Sequence, residues 1–103
     1  MLEELFKLDG KVVVITGATG LLGRKHAEAV ACYGGIPILI DLSQSVIDKL
    51  ANELSYKYKV QAIGFAIDIT NEAEIKENAK QLIENFGKID GLVNNAANNP
   101  KVE

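Results

Sequence analysis

Four short apolar runs alternate with three amphipathic stretches along this chain. Val12-Val13-Val14-Ile15 is a β-branched run between the turn Asp9-Gly10 and a glycine cluster, which predicts a strand buried on both faces. From Leu22 to Tyr33, one helical face carries Leu22, His26, Ala27, Val30 and Ala31, the opposite face carries Arg24, Lys25 and Glu28, and Gly34-Gly35 closes the helix. Ile36 to Ile40 is again almost continuously apolar and ends at Asp41; Pro37 stands near its start, where a missing amide is tolerated. Ser43 or Ser45 can cap a second helix in which Val46, Leu50 and Leu54 recur every fourth position, ending around Tyr56 to Lys59. Val60 to Ile67 reads as a third strand. Thr70 or Asn71 then caps a third helix striped by Ile75, Ala79, Leu82, Ile83 and Phe86 and stopped by Gly87. Gly91-Leu92-Val93-Asn94 is a fourth strand, and no periodicity follows it.

A β-α-β-α-β-α-β order demands a parallel sheet with right-handed crossovers and helices on both faces, which is the α/β doubly wound class. At 103 residues the chain is expected to form one domain, and it contains no internal repeat, low-complexity tract or linker-like stretch.

Composition narrows the partners. Hydrophobic residues make up 48% and charged residues 24%, as in ordinary globular domains. The formal charge of -3 offers no net positive field to a phosphate backbone, so nucleic acid is not an expected partner. The single cysteine, Cys32, cannot form an internal disulfide, and the charged Glu3, Glu4, Lys7 and Asp9 make the opening residues unlike a secretory signal. No apolar run approaches the roughly 18 residues of a membrane span. A reducing cytoplasm is therefore the expected compartment.

The candidate chemistry begins at Thr16-Gly17-Ala18-Thr19-Gly20-Leu21-Leu22-Gly23, between the first strand and the first helix. There a turn can present helix-terminal amides, near Leu21 and Leu22, to a phosphate. Gly17 permits a tight turn, Gly20 allows close backbone approach to a pyrophosphate, and Gly23 allows the helix to pack closely on the sheet. Asp41 follows the second strand, where a carboxylate can accept from adenosine ribose hydroxyls and repel a 2'-phosphate; the alternative is a plain turn or helix cap. No Arg or Lys follows it until Lys49, which favours NAD over NADP. Asp68 can accept from an adenine amino group with Ile69 packed nearby, or can simply form an Asx turn. Asn94-Asn95-Ala96-Ala97 offers small residues for close cofactor approach and amides that tie the fourth strand to its neighbours, or is a plain polar loop.

In order and register, these segments resemble the short-chain dehydrogenase/reductase family over essentially the whole chain. Lys11 to Gly20 resembles the family's opening, Asp68-Ile69-Thr70 its adenine-binding acidic motif, and Gly87 to Ala96 its fourth-strand motif. The resemblance implies a Rossmann-type sheet of strand order 3-2-1-4. It implies that Gly17, Thr19, Leu21 and Leu22 line the pyrophosphate with Gly20 and Gly23 shaping the turn. Asp41 and Leu42 would then meet the adenosine ribose, Asp68 and Ile69 the adenine, and Asn95, Ala96 and Ala97 the floor beneath it, while Asn94 braces the sheet. Two positions depart from the common pattern. The middle glycine is Gly20 where the common form places it at Leu21, a spacing found in the larger, sugar-nucleotide-modifying branch, and Ala97 stands where the last motif usually has glycine.

The family's proton donor is a Tyr followed four residues later by a Lys that lowers its pKa. Here Tyr33 is followed at that spacing by Pro37, Tyr56 by Val60 and Tyr58 by Ala62. The expectation is therefore that residues 1–103 are the N-terminal, cofactor-holding part of one NAD(P)-binding domain, with the catalytic residues beyond Glu103. The resemblance implies hydride transfer between NAD(H) and an alcohol or carbonyl substrate, and a homo-oligomer when complete. A sugar-nucleotide epimerase or dehydratase, or a non-catalytic dinucleotide-binding protein, is the alternative. Cys32 lacks a general base, His26 lies on an apolar stripe, and together they make no metal site. Tyr56-Lys57-Tyr58-Lys59 reads as a solvated helix end.

Overall fold

The computed structural model describes residues 7–95. Its elements are β1 (Val12–Thr16), α1 (Leu21–Cys32), β2 (Ile36–Asp41), α2 (Gln44–Tyr58), β3 (Ile63–Ala66), α3 (Glu72–Phe86) and β4 (Gly91–Asn94). The strands form one parallel sheet in the order β3-β2-β1-β4, as the resemblance implies.

Alternation within the apolar runs builds a core on each face. Val13, Ile15 and Leu39 point one way and meet Ala27, Val30, Ala31, Ile47, Leu50 and Leu54 from α1 and α2. Val12, Ile38 and Ile40 point the other way and meet Leu82, with Phe86 partly buried beside it, from α3. Continuous β-branched runs are needed because both faces are covered, and each fully buried aliphatic side chain contributes about 1.5–3 kcal/mol.

Several boundaries differ from the periodicity in instructive ways. β3 pairs only over Ile63–Ala66, and Val60 and Ala62 are apolar because they pack on the core beside α2. They do not pair with a neighbouring strand. In α2 the buried face is Ile47, Leu50, Ala51 and Leu54, and Val46 lies outside it. In α1, Leu22 is exposed and Gly23 is buried. In α3, Leu82 is buried as expected, but Ile83 is exposed and Asn78 takes a buried position. Asn71, not Thr70, caps α3 by accepting from the Glu74 amide at 3.2 Å. Ser43 is the N-cap of α2 but its side chain makes no capping bond; its hydroxyl lies 3.3 Å from that of Ser45.

All four strands run in the same sense, so their carboxyl ends share one rim. Thr16, Asp41, Ala66 and Asn94 end the four strands there. A crevice on such a rim is where open parallel sheets bind ligands.

Candidate functional site

The glycine turn leaves β1 at Gly17, whose φ of +63° is a conformation that favours glycine. Gly23 is constrained by space instead: a Cβ there would stand 2.0 Å from the Gly17 carbonyl oxygen and 2.9 Å from the Ala18 Cα. The first turn of α1 thus lies directly on the turn's own backbone, as expected of the third glycine. Gly20 differs from both. It is the N-cap of α1 with a φ of -74°, and a Cβ would meet only the Gly17 carbonyl at 3.4 Å, an ordinary contact. Neither the backbone angle nor the space around position 20 demands glycine.

Because Gly20 has no side chain to cap the helix, the leading amides of α1 are left for another acceptor. Leu21 and Leu22, which carry two of them, are 81% and 57% exposed. Arg24 steadies the turn from one side by donating Nε–H to the Thr19 carbonyl at 3.0 Å.

Asp41, the last residue of β2, faces this turn. Its Oδ2 accepts from the Thr19 amide at 2.9 Å and from the Thr19 hydroxyl at 2.6 Å, while Oδ1 accepts from the Leu42 amide at 2.9 Å. Burial pushes the carboxyl upward, but the Thr19 hydroxyl and amide and the Leu42 amide outweigh it and hold the group below its ordinary value. Asp41 is therefore an anion fixed against the glycine turn. Leu42, beside it, is 72% exposed.

Asp68 follows β3 and forms the Asx turn: Oδ1 accepts from the Thr70 hydroxyl at 2.6 Å and the Thr70 amide at 2.9 Å, which holds its carboxyl below its usual range. The turn uses one carboxylate oxygen. Its formation therefore does not exclude a second role for Oδ2, and the two readings of Asp68 are compatible. Ile69 packs partly against the core face covered by α3. It also borders a cavity of about 360 Å³ with Thr16, Ile40, Leu92 and Asn94.

Between β1 and β4, the Thr16 hydroxyl donates to Asn94 Oδ1 at 3.0 Å and accepts from the Asn95 amide at 3.0 Å. Asn94 thus braces the sheet, as the resemblance implies, and Asn95 is held at the rim. Ala96 and Ala97 lie outside the described residues. The structure brings Gly17 to Gly23 together with Asp41, and Thr16 with Asn94 and Asn95; Asp68 and Ile69 occupy the same rim beyond β3.

Sequence reasoning missed three contacts. The bond from Thr19 to Asp41 joins residues on separate elements, and its signal was a hydroxyl inside the turn. Gln44 lies next to β3, a placement argued below. Lys57 and Tyr58 do not make a merely solvated helix end, because both reach Glu28 of α1, Lys57 Nζ at 2.9 Å and the Tyr58 hydroxyl at 2.6 Å. The Tyr58 hydroxyl and Lys57 hold Glu28 below its ordinary value. No helix among the described residues is long and apolar enough to cross a membrane. The described residues contain no cluster of three or more His, Cys, Asp or Glu suited to a metal.

A family model described as short chain dehydrogenase matches residues 11–103, a span that takes in the glycine turn, Asp41 and the Thr16-Asn94 brace. The chain belongs to the short chain dehydrogenase family. It is 34% identical over 90 residues to meso-2,3-butanediol dehydrogenase of Serratia marcescens, covering 87% of this chain and 35% of that protein. It is also 34% identical over 98 residues to NADP-dependent mannitol dehydrogenase of Alternaria alternata, covering 92% and 37%. The solved structure of L-sorbose reductase from Gluconobacter frateurii, complexed with NADPH and L-sorbose, matches with a TM-score of 0.86 at 28% identity. That match covers 94% of this chain and 37% of the reductase. The chain thus spans 35% to 37% of the length of these proteins.

Proposed function

We propose that this chain is the cofactor-holding part of an oxidoreductase that transfers hydride between NAD(H) and an alcohol or carbonyl substrate. The observation that carries the reading is the Asp41 carboxylate fixed 2.9 Å from the Thr19 amide of the glycine turn, with Leu21, Leu22 and Leu42 exposed beside the two. In this reading the α1 amides beside Gly17, Thr19, Gly20, Leu21 and Leu22 receive the pyrophosphate, and Gly23 seats the helix behind them. Asp41 and Leu42 receive the adenosine ribose, Asp68 Oδ2 and Ile69 the adenine, and Asn95, Ala96 and Ala97 the floor. A nicotinamide ring, when bound, supplies the hydride chemistry. The chain's own residues bind and orient it, and proton transfer belongs to residues outside 1–103.

NAD is the preferred form on this reading. A carboxylate has two oxygens and about four acceptor sites, of which three are used here, so Asp41 retains capacity for a ribose hydroxyl and repels a 2'-phosphate. The mannitol dehydrogenase is named NADP-dependent and the sorbose reductase holds NADPH, so the preference rests on Asp41 and not on those relatives. Their names, dehydrogenase and reductase, support oxidoreduction over the epimerase or dehydratase alternative raised by Gly20. The composition supports a cytoplasmic location, and the family resemblance supports a homo-oligomer.

Equilibrium titration of the full protein with NAD and NADP tests the proposal. Tighter binding of NAD is expected, and tighter binding of NADP would remove the role given to Asp41.

A further inference from the structure

Gln44 opens α2 three residues after Asp41 and is exposed, yet its side-chain amide makes three hydrogen bonds. Oε1 accepts from the Ala66 amide at 2.9 Å, and Nε2 donates to the Gly64 carbonyl at 3.2 Å and to Asp48 Oδ1 at 2.8 Å. β3 is the terminal strand on this side of the sheet, and successive residues of a strand turn their backbone groups to opposite edges. The Ile67 amide points inward and donates to the Asp41 carbonyl at 2.9 Å. The groups of Gly64 and Ala66 therefore point to the open edge, and Gln44 pairs with them as a neighbouring strand would.

The contact has little slack. A Cβ at Gly64 would stand 1.7 Å from Ile47 Cγ2, so α2 lies directly on β3 one turn beyond Gln44. At its outgoing end β3 is gripped on both sides: by the Asp41 carbonyl at Ile67 and by the Gln44 amide at Ala66. Asp68 is the next residue. Gln44 thus ties the start of α2, three residues after Asp41, to the outer edge of β3 two residues before Asp68, while the Ile67 amide ties the inner edge to Asp41 itself.

We propose that Gln44 is a positioning residue that sets the spacing between the Asp41 and Asp68 rims and so shapes the adenosine end of the cofactor site. The inference rests on the cofactor reading above. It assigns Gln44 no contact with the cofactor. Removing the amide releases the outer edge of β3 and leaves the Ala66 to Asp68 segment held to Asp41 by the Ile67 bond alone, so that its position loosens. Binding of the adenosine half then weakens, while the pyrophosphate turn on α1 is unaffected.

The test compares Gln44→Leu and Gln44→Glu with the wild type in the full protein, titrating each with NAD, AMP and nicotinamide mononucleotide well below the unfolding temperature. For Gln44→Leu, AMP affinity should fall about fivefold to tenfold, the size of a lost hydrogen bond or two, with nicotinamide mononucleotide unchanged. Amide exchange at Ala66 should accelerate. Gln44→Glu keeps the acceptor for the Ala66 amide but turns an oxygen toward Asp48 Oδ1 and the Gly64 carbonyl, so it should recover only part of the exchange protection and of the AMP affinity. Unchanged AMP affinity in Gln44→Leu, or an equal loss for both mononucleotides, overturns the positioning role alone. A wild type that binds neither NAD nor AMP overturns the cofactor reading itself, and the inference with it.

Discussion

Thr19 donates two hydrogen bonds to one oxygen of Asp41, from its amide at 2.9 Å and its hydroxyl at 2.6 Å. A residue of the turn proposed to hold the pyrophosphate thereby orients the residue proposed to read the ribose. The two halves of the site are joined before any ligand arrives.

Replacing Thr19 by Val keeps the shape and the amide bond but deletes the hydroxyl bond. Folded Asp41 lies below its ordinary value of 3.8, so its contribution to stability is present above that pH and is lost as pH falls through the folded value. Thr19→Val should cost about 0.5–1.5 kcal/mol near neutral pH, and the deficit should shrink as pH drops below 3.8. Urea unfolding of both proteins across that range measures it. A deficit that grows on acidification would contradict the sign.

Asp41→Asn removes the charge while preserving size and one acceptor oxygen. Like-charge repulsion of a 2'-phosphate disappears, and repulsion of this kind is worth several kcal/mol. The ratio of kcat/KM for NAD over NADP in the full protein should fall about tenfold or more, the equivalent of about 1.4 kcal/mol. An unchanged ratio would show that cofactor choice is made elsewhere.

Much of this site was legible because its parts are local. A glycine turn between a β-branched run and a helix, and a carboxylate at the end of the next strand, are each read within a few residues. The parallel, two-faced sheet followed from element order and from continuous apolar runs that send Ile15 to one core and Ile38 to the other, and its strand order from the family resemblance. What the sequence did not disclose are contacts across elements. Thr19 to Asp41, Gln44 to β3 and Glu28 to Tyr58 depend on how separate pieces approach, and polar side chains at a helix start carry no periodic signal of their partner. Asp68 was ambiguous for a different reason: one carboxylate can close an Asx turn and keep an oxygen for a ligand. The true extent of β3 was hidden because Val60 and Ala62 are apolar for packing beneath α2, not for pairing.

The second and third glycines of the turn should separate stability from binding. Gly23→Ala forces a methyl to 2.0 Å from the Gly17 oxygen, a backbone atom that cannot swing away. Overpacking of this kind costs about 1–3 kcal/mol or more. Gly20→Ala places its methyl at 3.4 Å with an ordinary φ, so the fold should keep its stability. On the proposed reading its methyl nonetheless stands in the way of the pyrophosphate, and NAD affinity should fall about tenfold or more, as when a preorganised contact is lost. Paired denaturation and NAD titration of the two variants make the comparison. If Gly20→Ala binds NAD as tightly as the wild type, close approach at position 20 is wrong.

Thr16 is the remaining link between the turn and the far strand. Its buried hydroxyl gives to Asn94 Oδ1 and receives from the Asn95 amide, both at 3.0 Å, so it joins β1 to β4 at the rim. Thr16→Val fills the same volume but leaves an amide and a carbonyl oxygen without that partner, at about 1–3 kcal/mol when the groups are shielded from water. The loss should be local as well as global: the Asn95 amide should exchange faster, while amides of β2 and β3, on the other side of β1, keep their protection. Because the turn begins at the next residue, NAD affinity should fall too, through a shifted Gly17 and not through a lost ligand contact. Equal acceleration of exchange across all four strands would mean that Thr16 supports the sheet generally and does not brace this end of it.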